Sequence, residues 1–260
     1  MKAIITFIMY LVIPMIICLA AGKLYGQEKT FSTYQCPPCG CDADDKQFEH
    51  AGDCDRCGME LTPVTFHFVP LKKLEKPLNV AILVYHHAQV LDYAAPYDIF
   101  IAGGQNFNVY TVAEYRKPVT TMPNLSVNPQ YDIHNAPKAD ILIIPGGMWT
   151  ELSDATKNWI TRQAKEADHV LSICTGAFIL ADLGLLDGLE ATTHSSGTAI
   201  LEKNYTKISK VHRDKRFVDN GKIITSGGVT AGIDASIYLI SKILGNAWVD
   251  AIKRNLEFKQ

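Results

Sequence analysis

Hydrophobic and polar positions divide the chain into stretches of different character. Residues 3–21 form an uncharged apolar run broken only by Thr6 and Pro14. Residues 27–70 are poor in apolar side chains and rich in Cys, Asp, Gly and Pro. From Leu78 onward, short apolar runs alternate with longer segments whose apolar residues recur at helical spacing. Residues 79–84 are a continuous run of strand length, 93–103 carry helical periodicity, 109–113 and 140–144 read as further strands, and 149–167 as a helix. Residues 169–173 are a strand that runs directly into Cys174-Thr175-Gly176, followed by a helix over 177–183. The runs 216–218 and 222–225 flank Asp219-Asn220-Gly221, a hairpin signal, and 233–244 and 248–258 close the sequence as helices. Phe100, Tyr238 and Phe258 fall on helical apolar faces and are assigned to the core. Apolar strands alternating with amphipathic helices specify an α/β fold with a mostly parallel sheet covered on both faces.

Composition narrows the functional classes. With 260 residues the chain is long enough for one or two domains, and 47% apolar against 20% charged residues is an ordinary globular balance. The net charge of −2 leaves no basic surplus to neutralise a run of phosphates, so no nucleic-acid partner is expected.

The first segment has the order of a secretory signal. Lys2 supplies the positive start, the apolar run follows, and Ala20, Ala21 and Gly22 are the small residues before a polar Gln27-Glu28-Lys29, which places cleavage after Gly26. The same 19-residue run is just long enough to stay as a membrane anchor. Cys18 does not make a lipobox, because Ile17 stands where a small residue is needed. Either way an exported, periplasmic or otherwise extracytoplasmic protein is expected. The organisation expected is thus signal or anchor (1–26), Cys-rich module (27–70), linker (71–77, LKKLEKP) and α/β domain (78–260).

Five of the seven cysteines lie in the second stretch, as Cys36-x2-Cys39-x-Cys41-x12-Cys54-x2-Cys57. Two CxxC turns each point two thiolates to one side, and together they close the tetrahedron of a four-thiolate zinc ribbon. Cys41 is surplus: it can replace Cys39 or remain a reactive thiol. In an oxidising compartment the same cysteines can instead form disulfides. Tyr34-Gln35-Cys36-Pro37 and Gly52-x-Cys54-x-x-Cys57-Gly58-Met59-x-Leu61-x-Pro63 resemble the small heavy-metal-binding modules attached to copper and heavy-metal exporters. Those modules carry Met-His after the first Cys-Pro. Here Pro38-Cys39 stand instead, an all-sulfur set that favours a structural zinc over a specific copper role.

The second constellation centres on Cys174. Ser172-x-Cys174-x-Gly176 between strand and helix has the form of a nucleophile elbow, and the helix N-terminus at Thr175 is expected to favour thiolate over thiol. Pro145-Gly146-Gly147 follows a strand, and glycines there let backbone N–H groups approach a substrate oxygen. Asp92 follows the first strand of the α/β region and reads either as an acid–base partner for Cys174 or as the N-cap of the helix from Tyr93. His194, in Thr192-Thr193-His194-Ser195-Ser196, can orient or protonate a substrate. His86 and His87 read as loop histidines near the rim, and Gly227, Gly228 and Thr230 as pocket lining or tight packing.

Collectively, Leu91-Asp92-x-x-x-Pro96-x-Asp98-x-Phe100, Ile143-Ile144-Pro145-Gly146-Gly147, the stretch from Ser172 to Gly188, Ala191-Thr192-Thr193-His194 and the stretch from Thr225 to Asp234 are similar to the superfamily of the PfpI protease and the Parkinson-disease protein deglycase. The likeness covers residues 78–258, about 70% of the chain. Cys-Thr-Gly-Ala and Gly-Val-Thr-Ala-Gly-Ile-Asp resemble the branch of isonitrile hydratases and the sensor domains of AraC-type regulators. The resemblance implies a flavodoxin-like sandwich, a homodimer, a nucleophile at Cys174, a carboxylate partner at Asp92, oxyanion donors at Gly147 and Thr175, a small electrophilic substrate and no cofactor for the chemistry. The protease branch has His directly after its cysteine. Thr175 takes that place here, which argues against a peptidase. The regulators carry helix–turn–helix units after the sensor domain, and this sequence ends a few residues past the last helix. The alternative to an enzyme is a ligand, redox or metal-stress sensor.

Overall fold

The structure is a computed structural model that describes residues 29–43, 46–68, 71–148 and 152–258. The run at 3–21, read as signal or anchor, lies outside them. Among the described residues no helix is long and apolar enough to cross a membrane. The chain divides into two compact units, one ending at Leu71 and one beginning at Lys72.

The first unit is built on β1 (Lys29–Gln35), β2 (Gln47–Phe48) and β3 (Thr62–Phe68), in the order β2-β1-β3 with antiparallel pairing throughout. β1 and β3 pair along their full seven residues. Sequence composition hid this sheet, although Thr30-Phe31-Ser32-Thr33-Tyr34 has the two-residue alternation of a strand. The core is small: Cys36, Ala43, Cys54 and Leu61 are buried, with Tyr34, Phe48 and Met59 packed against them. A core of that size needs a staple.

The second unit opens with β4 (Leu78–Leu83), α1 (Val90–Ile101) and β5 (Phe107–Ala113), then the short strands β6 (Val119–Thr121), β7 (Leu125–Val127) and β8 (Tyr131–Asp132). β9 (Ile141–Ile144), α2 (Asp154–Glu166), β10 (His169–Ser172) and α3 (Gly176–Asp182) follow. It closes with β11 (Glu190–Ala191), α4 (Thr198–Asn204), β12 (Lys210–Val211), β13 (Phe217–Asp219), β14 (Ile223–Ser226), α5 (Ala231–Leu244) and α6 (Asn246–Asn255). The helix expected from 149 starts later because Ser153 caps it, its hydroxyl oxygen accepting the Thr156 N–H at 3.1 Å. The expected hairpin forms as β13 and β14, paired antiparallel, with Gly221 at φ +89° in its turn. Residues 72–74 are fastened to this unit: Lys72 Nζ donates to the Ile243 carbonyl at 2.7 Å and the Leu74 N–H to Asn106 at 2.8 Å.

Seven strands form the main sheet in the order β13-β14-β10-β9-β4-β5-β8, parallel except for the β13 edge. Val80 to Leu83 and Ile141 to Ile144 are fully buried. Successive strand residues point to opposite faces, so both faces of the sheet are covered. Pairing of Ile82 with Ile143, and of Ser172 with both Ile144 and Thr225, aligns the strand ends. The loops after β4, β9, β10 and β14 therefore emerge along one edge. The chain runs from β4 to β5 on one side and later returns to β9 on the other, so the strand order reverses beside β4, where open α/β sheets place their sites.

Candidate active site

Cys174 sits on the sharp turn between β10 and α3 with φ +57°. A non-glycine residue held in this left-handed region costs on the order of 1–2 kcal/mol and persists only where the surroundings fix it. Here they do. The Cys174 N–H is shared between the carbonyls of Ser226 and Gly227 at 3.2 Å each, and its carbonyl accepts the Thr193 hydroxyl at 2.8 Å. Gly176 is required at the turn, because a Cβ there would stand 2.4 Å from the Ile144 carbonyl oxygen.

Asp92 lies in the first turn of α1 and is completely buried. The helix begins two residues earlier, with Gln89 as its cap, so Asp92 is not the N-cap. Its Oδ2 accepts the Gly146 N–H at 3.1 Å, while Oδ1 is buried with no hydrogen-bond partner of normal geometry. The Cys174 thiol faces the carboxylate and interacts with it. Gly146 stands between them: a Cβ on it would lie 2.8 Å from Asp92 Oδ2, 2.8 Å from Cys174 Cβ and 2.7 Å from the Thr175 nitrogen.

Burial pushes Asp92 up to about 6, against the pull of the Gly146 N–H and the Cys174 thiol. Burial, then the Asp92 charge, pushes Cys174 up to about 12, while the Thr175 N–H and hydroxyl favour the anion. The thiolate expected from the helix N-terminus is thus not the resting form. Desolvation and a negative neighbour outweigh the helix end, and the pair holds one shared negative charge at neutral pH.

Thr175 and Gly147 also differ from expectation. The Gly147 N–H donates to Thr175 Oγ1 at 2.8 Å, and that hydroxyl donates to the Gly147 carbonyl at 3.1 Å. Gly147 has φ +142°, and a Cβ on it would strike the His87 carbonyl oxygen at 2.2 Å. Its donor is therefore spent inside the site, and the Thr175 N–H acts on the sulfur. Neither stands ready as an oxyanion donor in this arrangement.

His194 is half-buried, and its Nδ1 contacts Ser196 Oγ at 2.8 Å and accepts the Ser196 N–H at 3.3 Å. A Cβ on Gly228 would lie 2.3 Å from His194 Cδ2 and 3.0 Å from Cys174 Sγ, so both side chains flank one point. His86 is exposed, with Nδ1 accepting the Thr120 N–H at 3.1 Å; His87 has φ +66°. Tyr85 escapes the sequence reading. Its buried hydroxyl donates to the Pro145 carbonyl at 3.1 Å and is pushed well above the usual tyrosine range by burial and by the charges of Asp92 and Cys174.

In the first unit, the sulfurs of Cys36, Cys39, Cys41 and Cys57 all lie within 4.8 Å of one another. Cys36 Sγ stands 3.8 Å from Cys39, 3.9 Å from Cys41 and 3.4 Å from Cys57. Thiolates around a tetrahedral zinc, each at about 2.3 Å, are separated by about 3.8 Å, so these four fit one tetrahedral metal. Cys54, expected as a ligand from its CxxC, is not part of that group. It is buried in the small core and borders Cys36 and Cys57. Gly40 at φ +81° folds Cys39 and Cys41 back together, so Cys41 takes the fourth place. A backbone hydrogen bond from Met59 draws Cys57 down to about 7, whereas burial pushes Cys36 up. None of the five is disulfide-bonded.

The DJ-1/PfpI family model matches residues 78–242. The chain belongs to that family. A second model, the heavy metal binding domain, matches residues 33–64 and coincides with the sulfur cluster. The DJ-1/PfpI unit is 30% identical over 184 residues to isonitrile hydratase of Pseudomonas putida, covering 70% of this chain and 78% of that one. It is 27% identical over 155 residues to the HTH-type transcriptional regulator GbdR of Pseudomonas aeruginosa, covering 58% of this chain and 41% of the regulator. Among solved structures, a THiJ/PfpI family protein from Pseudomonas syringae matches with a TM-score of 0.65 and 26% identity, over 71% of this chain and 76% of that one.

Proposed function

We propose that the α/β unit is a cysteine-dependent hydratase for a small molecule with an electrophilic carbon, an isonitrile being the class named by its 30%-identical relative. The observation that carries this reading is a buried, half-unsatisfied carboxylate facing a cysteine on a strained elbow. Asp92, raised to about 6, serves as the base that takes the Cys174 proton as sulfur attacks the isonitrile carbon, and returns that proton to the same carbon. The resulting thioimidate adds water and expels the thiol, leaving an N-substituted formamide and free Cys174. His194 is assigned to substrate orientation. The test is formamide production from a panel of small isonitriles, read by NMR. Cys174→Ala should abolish it with the fold intact; full turnover in that variant overturns the mechanism.

A second reading is favoured by similarity to a regulator, 27% identical over 155 residues. In it, Cys174 senses a ligand or oxidant without turnover. No product from isonitriles, imines or aldehydes, together with stable sulfinate on Cys174 after mild peroxide, would select it.

We further assign a structural zinc to Cys36, Cys39, Cys41 and Cys57, where it would supply the positive charge that four adjacent thiolates lack. Export through residues 1–26 is proposed from their sequence pattern, with cell fractionation as its test, and a homodimer from the family resemblance, with light scattering as its test.

A further inference from the structure

A cavity of about 350 Å³ opens at the C-terminal ends of β4 and β5, and the chemistry assigned to Cys174 makes no use of it. Its size lies at the lower end of small-molecule sites. Neither Cys174 nor Asp92 lines it, although Tyr85 does. Leu83 and Ala113 of the strands are buried at its base, and Leu152 from the approach to α2 and Pro118 are the accessible apolar residues of its wall.

Three polar groups are placed around these walls. Glu114 follows β5, and its Oε2 accepts the hydroxyl of Thr156, a residue only 2% exposed in the first turn of α2, at 3.3 Å. Thr156 is itself held by Ser153 at 3.2 Å, so the carboxylate is oriented from behind. On the rim, His86 accepts a backbone N–H at Nδ1, which leaves Nε2 as the donor of the neutral ring. Lys117 holds its ammonium 5.9 Å above the Tyr115 ring. Among the described residues neither Glu114 nor Lys117 has an ion-pair partner. One oriented anion, two cationic or donor groups and an apolar wall in a single small cavity match a ligand that carries both charges on a short apolar body. A simple amine would leave Lys117 and His86 unmatched. A simple carboxylate would meet Glu114.

We propose that this cavity is a binding site for a small aliphatic α-amino acid, with its ammonium on Glu114, its carboxylate toward Lys117 and His86, and its side chain against Leu152 and Pro118. The site is separate from Cys174 and does not depend on turnover there.

Calorimetric titration of the full chain with L-leucine, isopentylamine and 4-methylpentanoate tests it. L-Leucine should bind, and each singly charged analogue should bind about tenfold or more weakly than it. Glu114→Gln keeps an acceptor for Thr156 yet should weaken leucine about tenfold, since a charge-assisted bond becomes a neutral one. Lys117→Met, at an exposed position, should weaken it about threefold. Cys174→Ala should leave leucine binding unchanged. Absence of leucine binding at millimolar concentration overturns the proposal. So does equal binding of isopentylamine, or loss of binding in Cys174→Ala, which would place the ligand at Cys174. Formamide production is read separately, so failure of one assignment is distinguishable from failure of the other.

Discussion

Asp92→Asn should make the protein more stable and less active, with a pH dependence that identifies the cause. Asp92 is fully buried, and burial raises it from 3.8 to about 6. A carboxyl raised this far binds its proton more tightly in the folded state. Its contribution to stability is complete below about pH 4 and is lost as pH rises through 6. The difference corresponds to about 3 kcal/mol against an unperturbed carboxylate at neutral pH, a substantial part of an ordinary folding free energy. Asparagine keeps the shape and still accepts the Gly146 N–H, but carries no charge to desolvate. Urea denaturation at pH 4, 5, 6 and 7 should show the variant close to wild type at pH 4 and gaining up to about 3 kcal/mol by pH 7. Its turnover should fall by about 10²- to 10⁴-fold, the usual contribution of a positioned acid–base group. Iodoacetamide should react faster with its Cys174 at pH 8, because the negative neighbour that raised the thiol is gone. A variant destabilised equally at every pH would refute the reasoning, since Asp92 would then be an ordinary packing residue.

Other substitutions separate further parts of the site. Gly228→Ala places a methyl 2.3 Å from His194 Cδ2 and 3.0 Å from Cys174 Sγ, and should slow both turnover and alkylation with little change in urea midpoint. Gly147→Ala meets the His87 carbonyl at 2.2 Å with φ +142°, and should cost about 2 kcal/mol or more by urea denaturation. Cys57→Ser should reduce bound zinc well below one per chain by elemental analysis, whereas Cys54→Ser should keep it, because Cys54 stands outside the four-sulfur group.

The parts of this molecule that could be read from sequence are those fixed by local chemistry. Continuous apolar runs at 80–83 and 141–144 identify doubly covered strands, and Ser172-x-Cys174-x-Gly176 admits few conformations other than a tight elbow. Other features depend on what the fold brings alongside. The ionisation of Cys174 is decided by Asp92 and by burial, neither of which the helix N-terminus reveals. The Gly147 donor is consumed by a hydroxyl 28 residues away. Spacing alone made Cys54 a better ligand than Cys41; the turn at Gly40 reverses them. The β1–β3 sheet pairs Gln35 with Thr62 across the cysteine loop, and a composition poor in apolar residues gave no hint of it. Tyr85 becomes relevant only because β4 and β9 are neighbours, which sets its hydroxyl on Pro145.

Acid-quenched turnover followed by intact-mass analysis addresses the nucleophilic role of Cys174 most directly. During steady-state reaction with a small isonitrile, a species heavier by one isonitrile and mapped to Cys174 is expected, absent in Cys174→Ala and accumulating in Asp92→Asn only at a strongly reduced rate. Formamide released at the wild-type rate by Cys174→Ala, or an adduct mapped to other thiols with Cys174 unmodified, would contradict it.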